Sequence, residues 1–201
     1  LFEQINLSDI GLLSQAGVKR FIEEYIKIDV IKKCGKEIYA CAYNIDKERA
    51  EYFKLNDCNE EEIKERVLAS CAIPHIFKPI IIDGMRYADG GIHSPLYLKD
   101  NVDNVPITPL RKYNCDIIIV VYLSYKNKID KKGFDSSNII EIYPSAPLEI
   151  LSGIGSINIK KETIENSMEL GYRDAMVILA PMVINILKGK RKKVDTCFIN
   201  K

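Results

Sequence analysis

The strongest restriction on the fold comes from an unbroken run of β-branched residues in the middle of the chain, Ile117-Ile118-Ile119-Val120-Val121. Such residues favour strands, and a strand without polar alternation is typical of a sheet that is covered on both faces. Helices provide that cover in α/β proteins. The run therefore predicts a strand over residues 116–123 that is buried on both faces of an α/β sheet flanked by helices.

Hydrophobic periodicity and turn residues predict the elements around this strand. Helices are predicted over residues 12–26, 59–72 and 162–179, and strands over residues 36–44, 50–55 and 138–143. Ser8 or Asp9 would cap the first helix and Asn59 the second, while Pro181 would kink or end the third. Asp83-Gly84 between two short apolar runs predicts a β-hairpin. Because no linker or repeat interrupts this pattern, residues 1–201 are expected to form one compact domain.

Charge, hydropathy and cysteine spacing exclude several classes of protein. The chain has 29 Lys and Arg against 28 Asp and Glu, and this balance argues against nucleic-acid binding. The longest apolar stretch, residues 175–187, is shorter than the roughly 20 residues that a membrane-crossing helix needs. Six cysteines lie far apart without a C-x-x-C motif, and we expect reduced thiols in a cytoplasmic protein. They are Cys34, Cys41, Cys58, Cys71, Cys115 and Cys197.

The candidate catalytic residue is Asp89, at the exit of the second strand of the predicted hairpin. Gly90 and Gly91 follow it. Glycine tolerates positive φ and lets another backbone approach closely, so the carboxylate could sit at a sharp turn beside a second group. A general base must lie about 3 Å from the nucleophile that it serves, and this turn suits that requirement. The alternative is that Asp-Gly-Gly is simply a turn.

Several motifs together place this turn in a wider pattern. They are ASCAIP at residues 69–74, Phe77, Pro79, the Asp83-Gly84 hairpin, YADGG at residues 87–91, and NVPI at residues 104–107 followed by Pro109-Leu110. Over about residues 8–180 the chain resembles the patatin-like phospholipase family. The resemblance implies a three-layer α/β fold with a central, mostly parallel sheet flanked by helices.

The resemblance also implies a Ser-Asp dyad that hydrolyses acyl esters of phospholipids or other lipids, with Asp89 as the base and no cofactor or metal. The family's serine lies in a Gly-x-Ser-x-Gly elbow, and no such motif occurs in this chain. Ser70 belongs to the helix-end motif and is interpreted as structural. We therefore expect the serine to precede Leu1, so that residues 1–201 are the C-terminal part of a patatin-like domain and inactive alone. The alternative is a non-catalytic module that binds lipid or a protein partner.

Three further features near the turn have weaker functional interpretations. His93 is the one histidine that could complete a Ser-His-Asp triad with Asp89. Cys71 and His75 have a spacing that could ligate zinc on a helix, but Pro74 interrupts that helix and no matching pair occurs elsewhere. Residues 92–100 look like an insertion relative to the family, forming either a loop over the site or inert surface.

A basic run follows the apolar stretch near the end of the chain. It consists of Lys188, Lys190, Arg191, Lys192 and Lys193. It is either a solvated tail or a patch that attracts anionic lipid headgroups, each cation near such a surface contributing about 1 kcal/mol. The second interpretation would make the protein peripheral at a membrane.

Overall fold

The computed structural model describes residues 14–91, 103–123, 127–148 and 161–188. The chain divides into two compact units, Leu1–Pro109 and Leu110–Lys201. The helices and strands, in chain order, are α1 (Ala16–Tyr25), α2 (Ile28–Lys33), β1 (Tyr39–Asn44), β2 (Arg49–Lys54), α3 (Glu60–Ser70), β3 (Ile80–Ile82), β4 (Met85–Asp89), β5 (Ile117–Val121), β6 (Asn138–Ile142) and α4 (Lys161–Leu187). Short 3-10 helices occupy Leu55–Asp57 and Thr108–Tyr113.

The first unit is built on a four-stranded antiparallel sheet of order β2-β1-β4-β3. The hairpin predicted at Asp83-Gly84 is confirmed, because β3 pairs with β4. The predicted strands that became β1 and β2 pair with each other as a second hairpin. Asp83 and Gly84 have φ angles of 51° and 76°. Positive φ at both central residues is the geometry of the two-residue turn that Asp-Gly predicts. The hairpins join where Ala42 of β1 lies opposite Asp89 of β4.

Helix α3 packs on this sheet and begins where the sequence predicts. Asn59 accepts a hydrogen bond from the Glu62 amide, and the Glu62 carboxylate accepts one from the Asn59 amide, which completes a capping box. The fully buried Ala69 of α3 packs with Ala42 and Tyr87 of the sheet. Because α3 ends at Ser70, ahead of Pro74, the chain turns back toward the sheet close to β4.

The start of the chain differs from its prediction. The helix predicted over residues 12–26 is α1, and the cap predicted at Ser8 or Asp9 lies outside the described residues. Lys27 is extended, with a ψ of 91°, and a second short helix, α2, begins at Ile28. The sequence prediction missed α2.

In the second unit, β5 and β6 form a parallel pair in which Ile117 lies opposite Asn138. Both strands were predicted. The expectation that β5 is buried on both faces is wrong, because only Ile118 and Val120 are buried. Ile119 and Val121 are 52% and 65% exposed. β-branching favours a strand, but it does not determine how many layers cover that strand.

Helix α4 was predicted to kink or end near Pro181. It does not end there, because it continues to Leu187 with Pro181 inside it, and a kink at Pro181 stays a prediction. Proline removes one backbone donor, and a helix can continue past it when the surrounding turns remain in place. Among the described residues, no helix is both long and apolar enough to cross a bilayer.

Helices and sheets in these two units confirm the α/β class. A parallel arrangement occurs in the described strands only between β5 and β6, whereas the larger sheet is antiparallel. A mostly parallel central sheet therefore stays a prediction.

Candidate active site

Asp89 is the last residue of β4, and two neighbouring elements fix its backbone. It lies opposite Ala42 in the β1–β4 register. Its amide donates a hydrogen bond of 3.0 Å to the carbonyl of Ala72, just beyond the end of α3. The sheet and the helix-end motif thus hold the aspartate from two directions.

The Asp89 side chain is half-buried and has one hydrogen bond from the turn that follows it. The Gly91 amide donates to Oδ1 at 2.7 Å. Burial raises the pKa of Asp89 above its ordinary value, and this hydrogen bond only partly offsets the effect. A carboxylate with a raised pKa is a stronger base, and a general base needs that property.

Close approach of neighbouring atoms, not an unusual backbone angle, explains the need for glycine at residue 90. A Cβ on Gly90 would lie 2.7 Å from both the carbonyl oxygen and the Sγ of Cys41. A Cβ on Gly91 would lie 3.2 Å from Oδ1 of Asp89. Neither glycine takes a φ in the left-handed region, so the turn does not use the tolerance of glycine for positive φ. The predicted close approach of another backbone segment occurs at Gly90.

Two thiols lie within electrostatic reach of Asp89. Burial, with the charges of Asp103 and Asp89, raises the pKa of Cys41 to about 12. Burial also raises the pKa of Cys71, a hydrogen bond between Cys71 and Ser70 opposes this increase, and the charge of Asp89 adds to it. The thiolate is the nucleophilic form of cysteine. Both thiols stay protonated at neutral pH, which argues against a cysteine nucleophile beside Asp89.

The hydroxyl of Ser70 donates a hydrogen bond of 2.9 Å to the carbonyl of Val67, one turn earlier in α3. This bond satisfies a carbonyl near the end of the helix, where intrahelical partners are lacking. The geometry fits the structural role that the sequence suggested for Ser70.

A second carboxylate, Asp103, lies near the same thiol and was not singled out from the sequence. Tyr52 of β2 donates a short hydrogen bond to Oδ2 of Asp103, and Thr108 donates to Oδ1 at 2.8 Å. Burial and this bond to Asp103 raise the pKa of Tyr52, so the tyrosine remains a donor. The hydrogen bond from Tyr52 therefore joins Asp103, which directly precedes the NVPI segment, to β2.

Glu51 of β2 connects the strands of the sheet that holds Asp89. It was not singled out from the sequence. It accepts hydrogen bonds from Tyr87 at 2.6 Å, Asn44 at 3.2 Å and Arg49 at 3.0 Å. Lys47 adds an ion pair at 3.2 Å. Burial opposes ionisation, but these partners outweigh it and lower the pKa of Glu51 to about 2. The Glu51 carboxylate therefore links β1, β2 and β4. Its partner on β4, Tyr87, lies two residues before Asp89.

The other candidates are less well placed or lie outside the described residues. Those outside the described residues are His93, the rest of residues 92–100, and residues 190–193. Because α3 ends at Ser70, Cys71 and His75 do not share a helix. In the described ranges, no three His, Cys, Asp or Glu side chains come together as a metal site.

The fold and this turn define an α/β protein with a candidate general base at the end of a strand. The family model of patatin-like phospholipases matches residues 11–110, which include the four-stranded sheet, α3 and the Asp89 turn. This part of the chain belongs to the patatin-like phospholipase family, and the resemblance is confirmed over these residues. At the level of the family, the chain is related to lipid acyl hydrolases.

Proposed function

We propose that residues 1–201 are the C-terminal part of a single patatin-like phospholipase domain that hydrolyses acyl esters of lipids by a Ser-Asp dyad. Asp89 is the base of this dyad, and Gly90 and Gly91 form its turn. The observation that carries the proposal is the half-buried Asp89 carboxylate, whose pKa burial raises at the end of a strand. A three-layer fold with a mostly parallel central sheet is part of the same proposal.

The hydrogen bonding of the two Asp89 carboxylate oxygens supports a role in proton transfer. Oδ1 is bonded to the Gly91 amide, whereas Oδ2 accepts no hydrogen bond from any residue that the structure describes. A hydroxyl that approached Oδ2 would meet a carboxylate whose other oxygen is fixed by the backbone. Fixed geometry of this kind allows proton transfer within hydrogen-bonding distance.

The proposed mechanism has two half-reactions. The serine hydroxyl attacks the ester carbonyl while Asp89 accepts the hydroxyl proton; the carbon–oxygen bond to the alcohol then breaks and the proton passes to the departing alcohol. Water next attacks the acyl-enzyme, Asp89 takes a proton from that water, and the proton returns to the serine as the fatty acid leaves. The 201 residues contain no Gly-x-Ser-x-Gly motif, so the proposal assigns the serine to a position outside them.

The test compares two Asp→Asn changes in the full-length protein with a short-chain chromogenic ester. We expect Asp89→Asn to lower hydrolysis by about 100-fold or more, because a general base contributes at least that much. Asp83→Asn is the matched control: Asp83 is exposed at the tip of the same hairpin, and asparagine tolerates its left-handed backbone. Undiminished turnover by Asp89→Asn would remove Asp89 from the mechanism.

A fluorophosphonate probe locates the nucleophile. We expect labelling of a serine outside residues 1–201 and no labelling of the 201-residue chain alone. Labelling of any serine within the chain would contradict the assignment.

The second candidate is a non-catalytic module that binds lipid or a protein partner. The lack of a nucleophile motif in the chain favours it. A full-length protein that binds lipid but reacts with no fluorophosphonate would support this candidate over the hydrolase.

The proposal places the protein in the cytoplasm, with peripheral membrane contact through Lys188, Lys190, Arg191, Lys192 and Lys193. A reducing compartment is supported by the described cysteines, all of which are free thiols. The membrane contact is supported by the density of cations in this run.

A further inference from the structure

Asp103 and Asn104, where the NVPI segment begins, contact two other parts of the first unit. The Tyr52 hydroxyl on β2 donates a hydrogen bond to Oδ2 of Asp103. The carbonyl oxygen of Asn104 lies 3.8 Å from the position that a Cβ on Gly91 would occupy, which is van der Waals contact with the turn that follows β4. Because Asp103 and Asn104 are adjacent in the chain, the first contact determines where the second one falls.

Cys41 of β1 lies between these two contacts. It is opposite Tyr52 in the β1–β2 register, so the two side chains project from the same face of the sheet. On the other side of Cys41, a Cβ on Gly90 would lie 2.7 Å from its Sγ. Burial raises the pKa of the Cys41 thiol, and the charges of Asp103 and then Asp89 add to this effect. Both carboxylates are therefore near this one residue.

The contact at Gly91 falls on the group that fixes the candidate base. The Gly91 amide donates to Oδ1 of Asp89 at 2.7 Å. The Asn104 carbonyl restricts the movement of this turn and occupies space that water would otherwise fill. Burial is the main cause of the raised pKa of Asp89. A segment that covers the turn therefore affects both the orientation of the carboxylate and its strength as a base.

Asp103 is well suited to hold this segment in place, because a carboxylate can accept several hydrogen bonds. It accepts one from Thr108, five positions away, and one from Tyr52, 51 positions away. The bond from Thr108 is local and shapes the segment itself. The bond from Tyr52 is the long-range contact that places the segment relative to the sheet. Hydrogen bonds to an ionised group are stronger than neutral ones, so this contact is more than incidental.

We propose that Tyr52 and Asp103 are positioning residues for the candidate base. Their hydrogen bond holds Asn104 against the Gly91 turn, which keeps the Asp89 carboxylate oriented and shielded from water. Both residues act through Gly91, and neither is assigned a step of the reaction. This inference rests on the proposed function and deepens it, because it names the residues that prepare Asp89 for proton transfer.

The pH dependence of ester hydrolysis by full-length Tyr52→Phe tests the proposal. The acid limb of kcat/KM reports the pKa of the base in the free enzyme. Water that reaches Asp89 lowers its pKa, so we expect this limb to move to lower pH. We expect kcat to fall about tenfold or more, because small misplacements of a catalytic group are costly. KM should stay within about twofold, since only the transition state is affected. A smaller amount of folded enzyme would lower the rate alike at every pH and would not move the limb.

Tyr39→Phe is the matched control for the loss of a tyrosine hydroxyl. Tyr39 is the first residue of β1, and its hydroxyl donates to the exposed Glu37 carboxylate at 3.3 Å. The change removes one hydroxyl from the same sheet and leaves the bond to Asp103 in place. We expect its kcat and its pH profile to match those of the unaltered protein.

A double-mutant cycle with Asp103→Ala tests whether the two residues act through one bond. Once Asp103 is alanine, Tyr52 has lost its acceptor, so the double variant should keep the kcat of Asp103→Ala alone. A loss in the double variant that equals the product of the two single losses would show independent effects and overturn the proposal. An acid limb that neither Tyr52→Phe nor Asp103→Ala moves would also overturn it.

Urea unfolding of the full-length protein gives a second measurement, which does not depend on hydrolysis. The raised pKa of Asp89 makes its ionised form destabilising at neutral pH, so Asp89→Asn is expected to stabilise the fold. We expect this gain to be smaller in the Tyr52→Phe background, because the carboxylate is better hydrated there. An equal gain in both backgrounds would overturn the proposal.

The failure of this inference can be distinguished from the failure of the proposed function. Loss of hydrolysis by Asp89→Asn together with an unmoved Tyr52→Phe profile would reject the positioning role and leave the proposed function standing. Undiminished hydrolysis by Asp89→Asn would reject the proposed function. The unfolding comparison would then still decide whether Tyr52 controls the hydration of Asp89.

Discussion

Gly90 lies so close to Cys41 on the adjacent strand that a Cβ at residue 90 would come within 2.7 Å of the Cys41 carbonyl oxygen. Cys41 precedes Ala42, the residue opposite Asp89 in the register. A side chain at residue 90 would therefore push β1 and β4 apart beside the candidate base. The glycine permits the approach that holds Asp89 in place.

Gly90→Ala should destabilise the chain by about 1–3 kcal/mol, because the clash is with backbone and cannot be relieved by a rotamer change. Urea unfolding followed by circular dichroism measures this. Gly17→Ala is the matched control, since nothing lies within 4 Å of its Cβ position and Gly17 is in α1. Alanine in a helix should raise stability there by about 0.5–1 kcal/mol. An unchanged urea midpoint for Gly90→Ala would contradict the close approach.

Asn59→Ala should lower the free energy of unfolding by about 1 kcal/mol, because it removes the acceptor that caps α3 at 2.9 Å from the Glu62 amide. Thermal or urea unfolding gives the value. Glu61→Gln changes an exposed residue of the same turn that has no part in the capping box, so it should stay within about 0.5 kcal/mol. A loss below about 0.5 kcal/mol for Asn59→Ala would contradict a stabilising role of the capping box.

The local elements of the first unit could be predicted because their signals are local. Asp83-Gly84 determines its own turn, and Asn59 with Glu62 determines the start of α3. The position of Asp89 at the end of a strand followed from the same hairpin. Its raised pKa did not, because burial depends on what the rest of the chain places around the carboxylate.

Interactions between distant residues could not be predicted. Tyr52 and Asp103 are separated by 51 positions, and Glu51 and Tyr87 by 36. Nothing in either segment specifies the other as its partner. The exposed face of β5 was missed for a related reason, because β-branching indicates a strand whether or not a second layer covers it.

Glu51→Gln should destabilise the chain by roughly 3 kcal/mol at neutral pH, since one pKa unit corresponds to about 1.4 kcal/mol. The folded pKa of Glu51 is lowered from 4.5 to about 2. Its contribution is therefore present above pH 4.5 and is lost as the pH falls toward 2.

Urea unfolding as a function of pH measures this, and the difference between Glu51→Gln and the unaltered chain should shrink below pH 4.5. Glu37→Gln is the control, because Glu37 forms a more exposed ion pair with Lys54 and such pairs contribute about 0–1 kcal/mol. A difference that did not change with pH would mean that Glu51 acts by packing alone.

Asp89→Asn should leave the chain as stable as the unaltered protein at neutral pH, or more stable. The folded pKa of Asp89 lies above its unfolded value, so the folded state binds more protons between the two pKa values and stability falls as the pH rises through that window. Asparagine carries no charge, and its Oδ1 can still accept from the Gly91 amide. Urea unfolding should therefore show a gain that disappears below the unfolded pKa, whereas the exposed Asp83→Asn should show none. A loss of stability at neutral pH would mean that the ionised carboxylate stabilises the turn. Asp89 would then not be a half-buried base whose charge lowers the stability of the fold.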